Sequence, residues 1–202
     1  MNAKKEIRRG LPIGIIIVLL LGCTPAAQKV APGDYRITRP GATSVVVVHS
    51  RSGNTALVAK LLADAAGATY VRLKAPEGTG DSLISSPNRN AEVAIEPRTV
   101  DLSAYRTVFL GTPIWFWHPA APICSFIRAN DLTGKRVVLF YTYQGGLAKT
   151  AIDEWKALVA KRGGTVVEVI GINRKMHATD EALAAEVTSI IAGRLKSLLP
   201  SK

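Results

Sequence analysis

The sequence predicts an α/β domain with a parallel sheet covered by helices on both faces. Three observations carry this. Strand-like and helix-like segments alternate about five times between residues 44 and 199, the pattern of a doubly wound sheet. The run Val45-Val-Val-Val48 asks for two buried faces, as only an inner parallel strand provides. With 48% hydrophobic residues in 202, the chain can fill the core of one domain of ordinary size.

The elements follow in order. After the valine strand comes the polar turn Ser50-Arg51-Ser52-Gly53-Asn54-Thr55. Leu57, Val58, Leu61, Leu62 and Ala65 then recur at helical spacing up to Gly67. Ala68–Leu73 is a short second strand. Across 74–104, Pro76, Gly78, Gly80, Pro87 and Pro97 interrupt any long element; 85–90 reads as loop, with room for a short helix around 88–94. Thr107–Thr112 is a third buried strand, 119–129 a helix and Arg136–Thr142 a fourth strand. Leu147–Arg162 is helical, with Ile152, Trp155, Leu158 and Val159 inward and Gly163-Gly164 as its stop. Thr165–Gly171 is the fifth strand. Thr179 caps a last helix whose apolar stripe is Leu183, Val187, Ile190, Ile191, Leu195 and Leu198.

Ahead of this domain, basic residues 2–9 and the apolar run Leu11–Leu21 have the layout of a signal peptide, too short to span a bilayer comfortably. The run ends in Leu20-Leu21-Gly22-Cys23, which resembles the bacterial lipobox. That resemblance implies removal of 1–22, diacylglycerol on Cys23, and a domain held at a membrane of the bacterial cell envelope, outside the cytoplasm. Residues 23–42, with Pro25, Pro32 and Pro40 and no periodicity, read as a tether, and 43–202 as the domain.

Net charge is +11; Lys4, Lys5, Arg8 and Arg9 against Glu6 give residues 1–22 a net +3, which leaves +8 for the remainder. A basic surface suits anionic lipid or an acidic partner. The basic residues are scattered without interleaved aromatics, which argues against nucleic acid. Two cysteines, Cys23 and Cys124, are too few for a disulfide framework. Cys124 lies among Ile123, Phe126 and Ile127 and reads as a buried, inert thiol. His49, at the end of the first strand, is expected to pack or to bond backbone, and His118 to be exposed in a loop. His177 has no metal-ligand spacing around it, and no Ser-His-Asp or Cys-His set is apparent.

In a parallel sheet of this kind, ligands bind beyond the carboxyl ends of the strands. That rule singles out 50–55, 112–118 and 142–147. The first offers hydroxyls and unpaired amides at a helix start, a chemistry for a phosphate. It lacks both the nucleoside-triphosphate and the dinucleotide glycine spacings, so a monophosphate fits best; a polar turn without ligand is the bland reading. The second, Thr112-Pro113-Ile114-Trp115-Phe116-Trp117-His118, carries three large aromatics, either covering the sheet edge or forming a platform for a flat ligand. The third, Thr142-Tyr143-Gln144-Gly145-Gly146, lets backbone approach a ring edge closely.

Ser50-Arg-Ser-Gly-Asn-Thr55 resembles the flavodoxin phosphate loop, Thr/Ser-x-Thr/Ser-Gly-Asn-Thr. Asp101-Leu-Ser-Ala-Tyr-Arg-Thr-Val-Phe-Leu-Gly-Thr-Pro-Ile-Trp115 resembles a run of bacterial flavodoxin-like proteins. The resemblance implies five parallel strands in the order 2-1-3-4-5 and FMN as cofactor. Its phosphate would sit on Ser50, Arg51, Ser52, Gly53, Asn54 and Thr55. Its ring would lie between Thr112–Trp117 and Thr142–Gly146, with Trp115 the foremost stacking candidate and Tyr143 the second. Many relatives have glycine where this chain has Trp117; a peptide there flips when the flavin is reduced, so Trp117 implies a preference for two-electron exchange. The implied activity is electron transfer, or FMN-dependent reduction of a small planar acceptor such as a quinone, with a redox partner protein as donor or acceptor. The alternative is a flavodoxin-fold binding module without flavin redox activity.

Overall fold

The computed structural model describes residues 35–76, 92–146, 150–177 and 179–198. Among these residues the strands are β1 (Arg36–Ile37), β2 (Ser44–His49), β3 (Thr69–Leu73), β4 (Thr107–Trp115), β5 (His118–Pro119), β6 (Arg136–Tyr143) and β7 (Thr165–Asn173). The helices are α1 (Asn54–Ala66), α2 (Ala121–Ala129), α3 (Ala151–Lys161) and α4 (Asp180–Arg194). The sheet runs β1-β3-β2-β4-β6-β7, with β5 on β4. Its five long strands are mutually parallel and stand in the expected order 2-1-3-4-5.

The four valines explain why β2 is central. Val46 and Val48 face a core built with α1 and α4, while Val45 and Val47 face one built with α2 and α3. All four are fully buried, so each face of the strand has its own helical layer. In α3, Trp155 and Val159 are buried, with Ile152 and Leu158 packed at the margin. Leu183 and Val187 of α4 and Leu195 just after it are buried, and Ile190 and Ile191 are half-buried against the same core. The Thr179 hydroxyl accepts the Ala182 amide at 3.2 Å, the expected cap. Asp101 Oδ1 accepts the Ser103 amide at 2.9 Å, and Leu102 and Tyr105 beside it are buried. That part of the second motif therefore closes the turn into β4 and does not reach the pocket.

Several boundaries differ from the sequence reading. Arg36–Ile37, inside the segment read as tether, adds an antiparallel edge strand to β3; two residues are too few to show a period. The segment 112–118 is a β-hairpin: β4 continues to Trp115, and β5 turns back with Ile114 opposite Pro119 and Trp115 opposite His118. As a result His118 is buried, with Nδ1 3.7 Å from Glu154 Oε2, where an exposed loop histidine was expected. The helix expected from 119 begins at Ala121, since Pro119 is taken up in the hairpin. Residues 147–149 of the helix expected from Leu147 lie outside the described residues, as do residues 85–90, the 88–91 part of the short helix, and the side chain of Leu198; residues 92–94 are not helical. The N-terminal segment through residue 34, with the signal peptide and Cys23, also lies outside them.

Candidate functional site

At the carboxyl ends of β2, β4 and β6 the three loops enclose a cavity of about 860 Å³, within the range of small-molecule sites. Of the first loop, Arg51, Ser52, Asn54 and Thr55 line it; of the second, Pro113, Ile114, Trp115, Phe116 and Trp117; of the third, Thr142, Tyr143, Gln144, Gly145 and Gly146. Three expected residues stand just behind. Ser50 is buried, and its carbonyl accepts Arg72 Nη2 at 2.8 Å. Gly53 is the N-cap of α1, and Thr112 is buried with its hydroxyl directed to the Pro113 carbonyl at 3.3 Å.

The first loop is built to meet an anion. Gly53 has φ 89°, a conformation that glycine alone adopts without cost. It supplies no side-chain cap, and the first turn of α1 holds no acidic residue. The opening amides of the helix therefore have no intrahelical acceptor and keep the positive end of the dipole at the cavity wall. Asn54 Nδ2 donates to Ser52 Oγ at 3.3 Å, and the buried Thr55 and Thr142 hydroxyls lie 2.8 Å apart.

The second loop holds unusual backbone. Phe116 and Trp117 are the two central residues of the hairpin, with φ 46° and 65°. Positive φ at both positions is the mark of a type I′ turn, which asks for Asn-Gly or similar pairs. Bulky side chains there store about 1–3 kcal/mol each. Both rings are also more than half exposed. The third loop meets them: a Cβ on Gly146 would lie 3.1 Å from Trp117 Nε1. The close approach expected of a glycine in this loop is thus made to the indole of Trp117. Trp115 is half-buried and edge-on to His49, with centroids 5.4 Å apart and planes at 88°.

Arg174, which the sequence reading passed over, also lines the cavity. It opens a one-turn 3₁₀ helix, Arg174–Met176, at the end of β7. Its Nη2 pairs with Asp180 at 3.3 Å, while Nη1 is buried with no hydrogen-bond partner among the described residues. Applying the strand-end rule to the fifth strand as well would have found it.

Among the described residues that line this wall, Arg51 and Arg174 carry charge and none is a carboxylate. His49 stays neutral: burial lowers its pKa from 6.5 to about 4, with Arg72 adding to the effect and the Leu73 backbone opposing it. Burial raises the Cys124 thiol to about 11, which fits the inert reading. Among the described residues, no group of three or more His, Cys, Asp or Glu is placed to hold a metal. Among the described residues that line the cavity there is no nucleophile-and-base pair. What the site offers is an anion cradle, aromatic surface, and the positive charge of Arg51 and Arg174.

The flavodoxin family profile matches residues 43–171. No curated protein matches the chain. Among solved structures, a protein from Bacteroides eggerthii DSM 20697, provisionally assigned as a flavoprotein, is 25% identical with a TM-score of 0.57, covering 74% of this chain and 98% of that one. A provisionally assigned flavoprotein from Bacteroides uniformis ATCC 8492 is 22% identical with a TM-score of 0.58, over 73% and 99% of the two chains. A flavoprotein in complex with FMN from Lactobacillus acidophilus NCFM is 20% identical with a TM-score of 0.54, over 67% and 96%.

Proposed function

Because this chain belongs to the flavodoxin family, we propose that it binds FMN in the three-loop cavity and serves electron transfer or the reduction of a small planar acceptor. The observation that carries this reading is the meeting of an uncapped helix N-terminus with an aromatic hairpin in one cavity, with no carboxylate among its described lining residues. A ligand that is anionic at one end and flat at the other satisfies both walls.

FMN when bound supplies one- and two-electron redox chemistry, which no side chain here provides. The protein's part is positioning and electrostatics. The amides following Gly53, with Ser52, Asn54, Thr55 and Arg51, would hold the phosphate. Trp115, Trp117 and Tyr143 would flank the ring and exclude water. Arg174 would place positive charge on the same wall. Trp117, at a position that is glycine in many relatives, favours two-electron exchange, which a redox titration reads directly.

The residues Leu20–Cys23 support acylation of Cys23 and residence at a membrane of the cell envelope. There the acceptor is a quinone-like molecule, or an acidic redox protein drawn to the basic domain. Titration of the purified protein with FMN tests the central claim. A yellow, stoichiometric complex with quenched flavin fluorescence is expected. Failure to bind would favour a binding module that keeps only the fold.

A further inference from the structure

The first described residue, Tyr35, stands at the pocket end of the sheet. β1 runs antiparallel to β3, so Tyr35 lies beside the carboxyl end of β3, where its carbonyl accepts the Arg72 amide at 2.7 Å. Its ring lies under Lys74 at 4.2 Å and under the Arg72 guanidinium at 5.6 Å. Arg72 in turn holds the Ser50 carbonyl. Eleven residues, 24–34, separate Tyr35 from Cys23. Such a segment spans at most about 40 Å. A lipid on Cys23 therefore keeps this end of the sheet close to the bilayer.

The same end carries the largest exposed apolar side chains among the described residues. Phe116 and Trp117 project from the hairpin tip, 56% and 57% exposed, and Met176 follows Arg174 at 75%. Basic residues Arg51, Arg174 and Lys175 stand beside them. Among the described residues, the acids at this end include Asp153, Glu154, Asp180 and Glu181 in the first turns of α3 and α4, with Asp180 paired to Arg174, and Glu96, which bridges Lys74 beyond β3. Aromatic rings flanked by cations have the chemistry of a surface that sits among lipid headgroups.

We propose that the Phe116–Trp117 tip, with Met176, docks into the anionic bilayer that holds Cys23, turning the cavity mouth toward the membrane. This rests on the lipid-anchor reading above. Lipid fits this surface better than a protein partner because the tether root, the exposed rings and the cations share one end. Tethering also makes docking intramolecular, so weak contacts suffice. A membrane-dissolved acceptor would then reach the cavity without crossing water.

The test uses the full chain, acylated on Cys23, in phosphatidylcholine vesicles with and without phosphatidylglycerol. Phe116→Cys and, as a control near the opposite end of β7, Val167→Cys each carry an environment-sensitive NBD label; Cys124 is buried and unreactive. The label at 116 is expected to shift to the blue and brighten, more so with phosphatidylglycerol, while the label at 167 stays unchanged. In the unlabelled chain, brominated lipids should quench tryptophan emission, and Trp117→Phe should abolish most of that quenching. Retention on vesicles with equal, unshifted labels and no quenching overturns the docking and spares the anchor. A blue shift at 116 that requires added membrane protein would assign the surface to a protein partner and also overturn it. Failure to stay on vesicles overturns the anchor reading and this one with it.

Discussion

The Thr55 and Thr142 hydroxyls lie 2.8 Å apart in the buried floor of the cavity, joining the start of α1 to the end of β6. Either oxygen can donate, so one proton of the pair remains free to turn toward a ligand. Ser52 lines the same wall. Thr55→Val and Ser52→Ala are each expected to weaken FMN by about tenfold to a hundredfold, the worth of a hydrogen bond to a charged group. Riboflavin, which lacks the phosphate, should lose little. Fluorescence titrations with both ligands make the comparison. Equal losses would mean that this loop does not hold the phosphate.

The hairpin tip sets stability against function. Phe116 and Trp117 occupy left-handed backbone that Asn-Gly would adopt with little strain. The double change Phe116→Asn and Trp117→Gly should therefore stabilise the fold by about 2 kcal/mol, within the range for two strained residues. It should also weaken FMN and riboflavin alike, because the aromatic wall and the contact with Gly146 are lost. Urea unfolding and ligand titration read the two effects separately. A less stable variant would show that the rings contribute more by packing than their backbone costs.

The layered core was legible because burial has a period. Val45–Val48 needed two apolar faces, and the sheet gives them two. The first loop was legible because an uncapped helix start leaves a chemical signature in its hydroxyls and glycine. The hairpin was not. Phe-Trp is among the last pairs that turn preferences would place at two positive φ angles, so the return strand and the burial of His118 stayed hidden. Arg174 escaped for another reason. Its residue type carries no signal in a basic chain, and its place at the cavity depends on β6 and β7 ending side by side, with Tyr143 opposite Asn173.

Arg174 allows a test of electrostatics at the cavity. A partly buried cation near a flavin favours the reduced, more negative state. Arg174→Gln is expected to lower the midpoint potential of bound FMN by roughly 20–40 mV, since 30 mV is about 1.4 kcal/mol for a two-electron couple. FMN and riboflavin affinities should fall together, as the residue lies beyond the third loop and away from the first. Potentiometric titration gives the first number. A raised potential, or a loss confined to FMN, would place Arg174 at the phosphate.

His49 makes a prediction about pH. Burial lowers its folded pKa from 6.5 to about 4, and neither ring nitrogen has a hydrogen-bond partner among the described residues. The unfolded chain therefore binds more protons than the folded one between these values, and stability rises with pH across that window. Above pH 6.5 the contribution is complete; as pH falls through 4 it is lost, by about 3 kcal/mol at most. Asp101, held below the usual carboxylate range by hydrogen bonds from Ser103, and Asp131, held there by Thr133, lose their contributions at still lower pH, whether or not His49 is present. His49→Leu removes the titrating ring and should flatten the slope between pH 6.5 and 4.5, whatever it does to stability at pH 7. Urea unfolding at half-unit intervals measures both slopes. Parallel curves would mean that the ring is protonated inside the fold, and the edge-on contact with Trp115 would then be a cation against an indole.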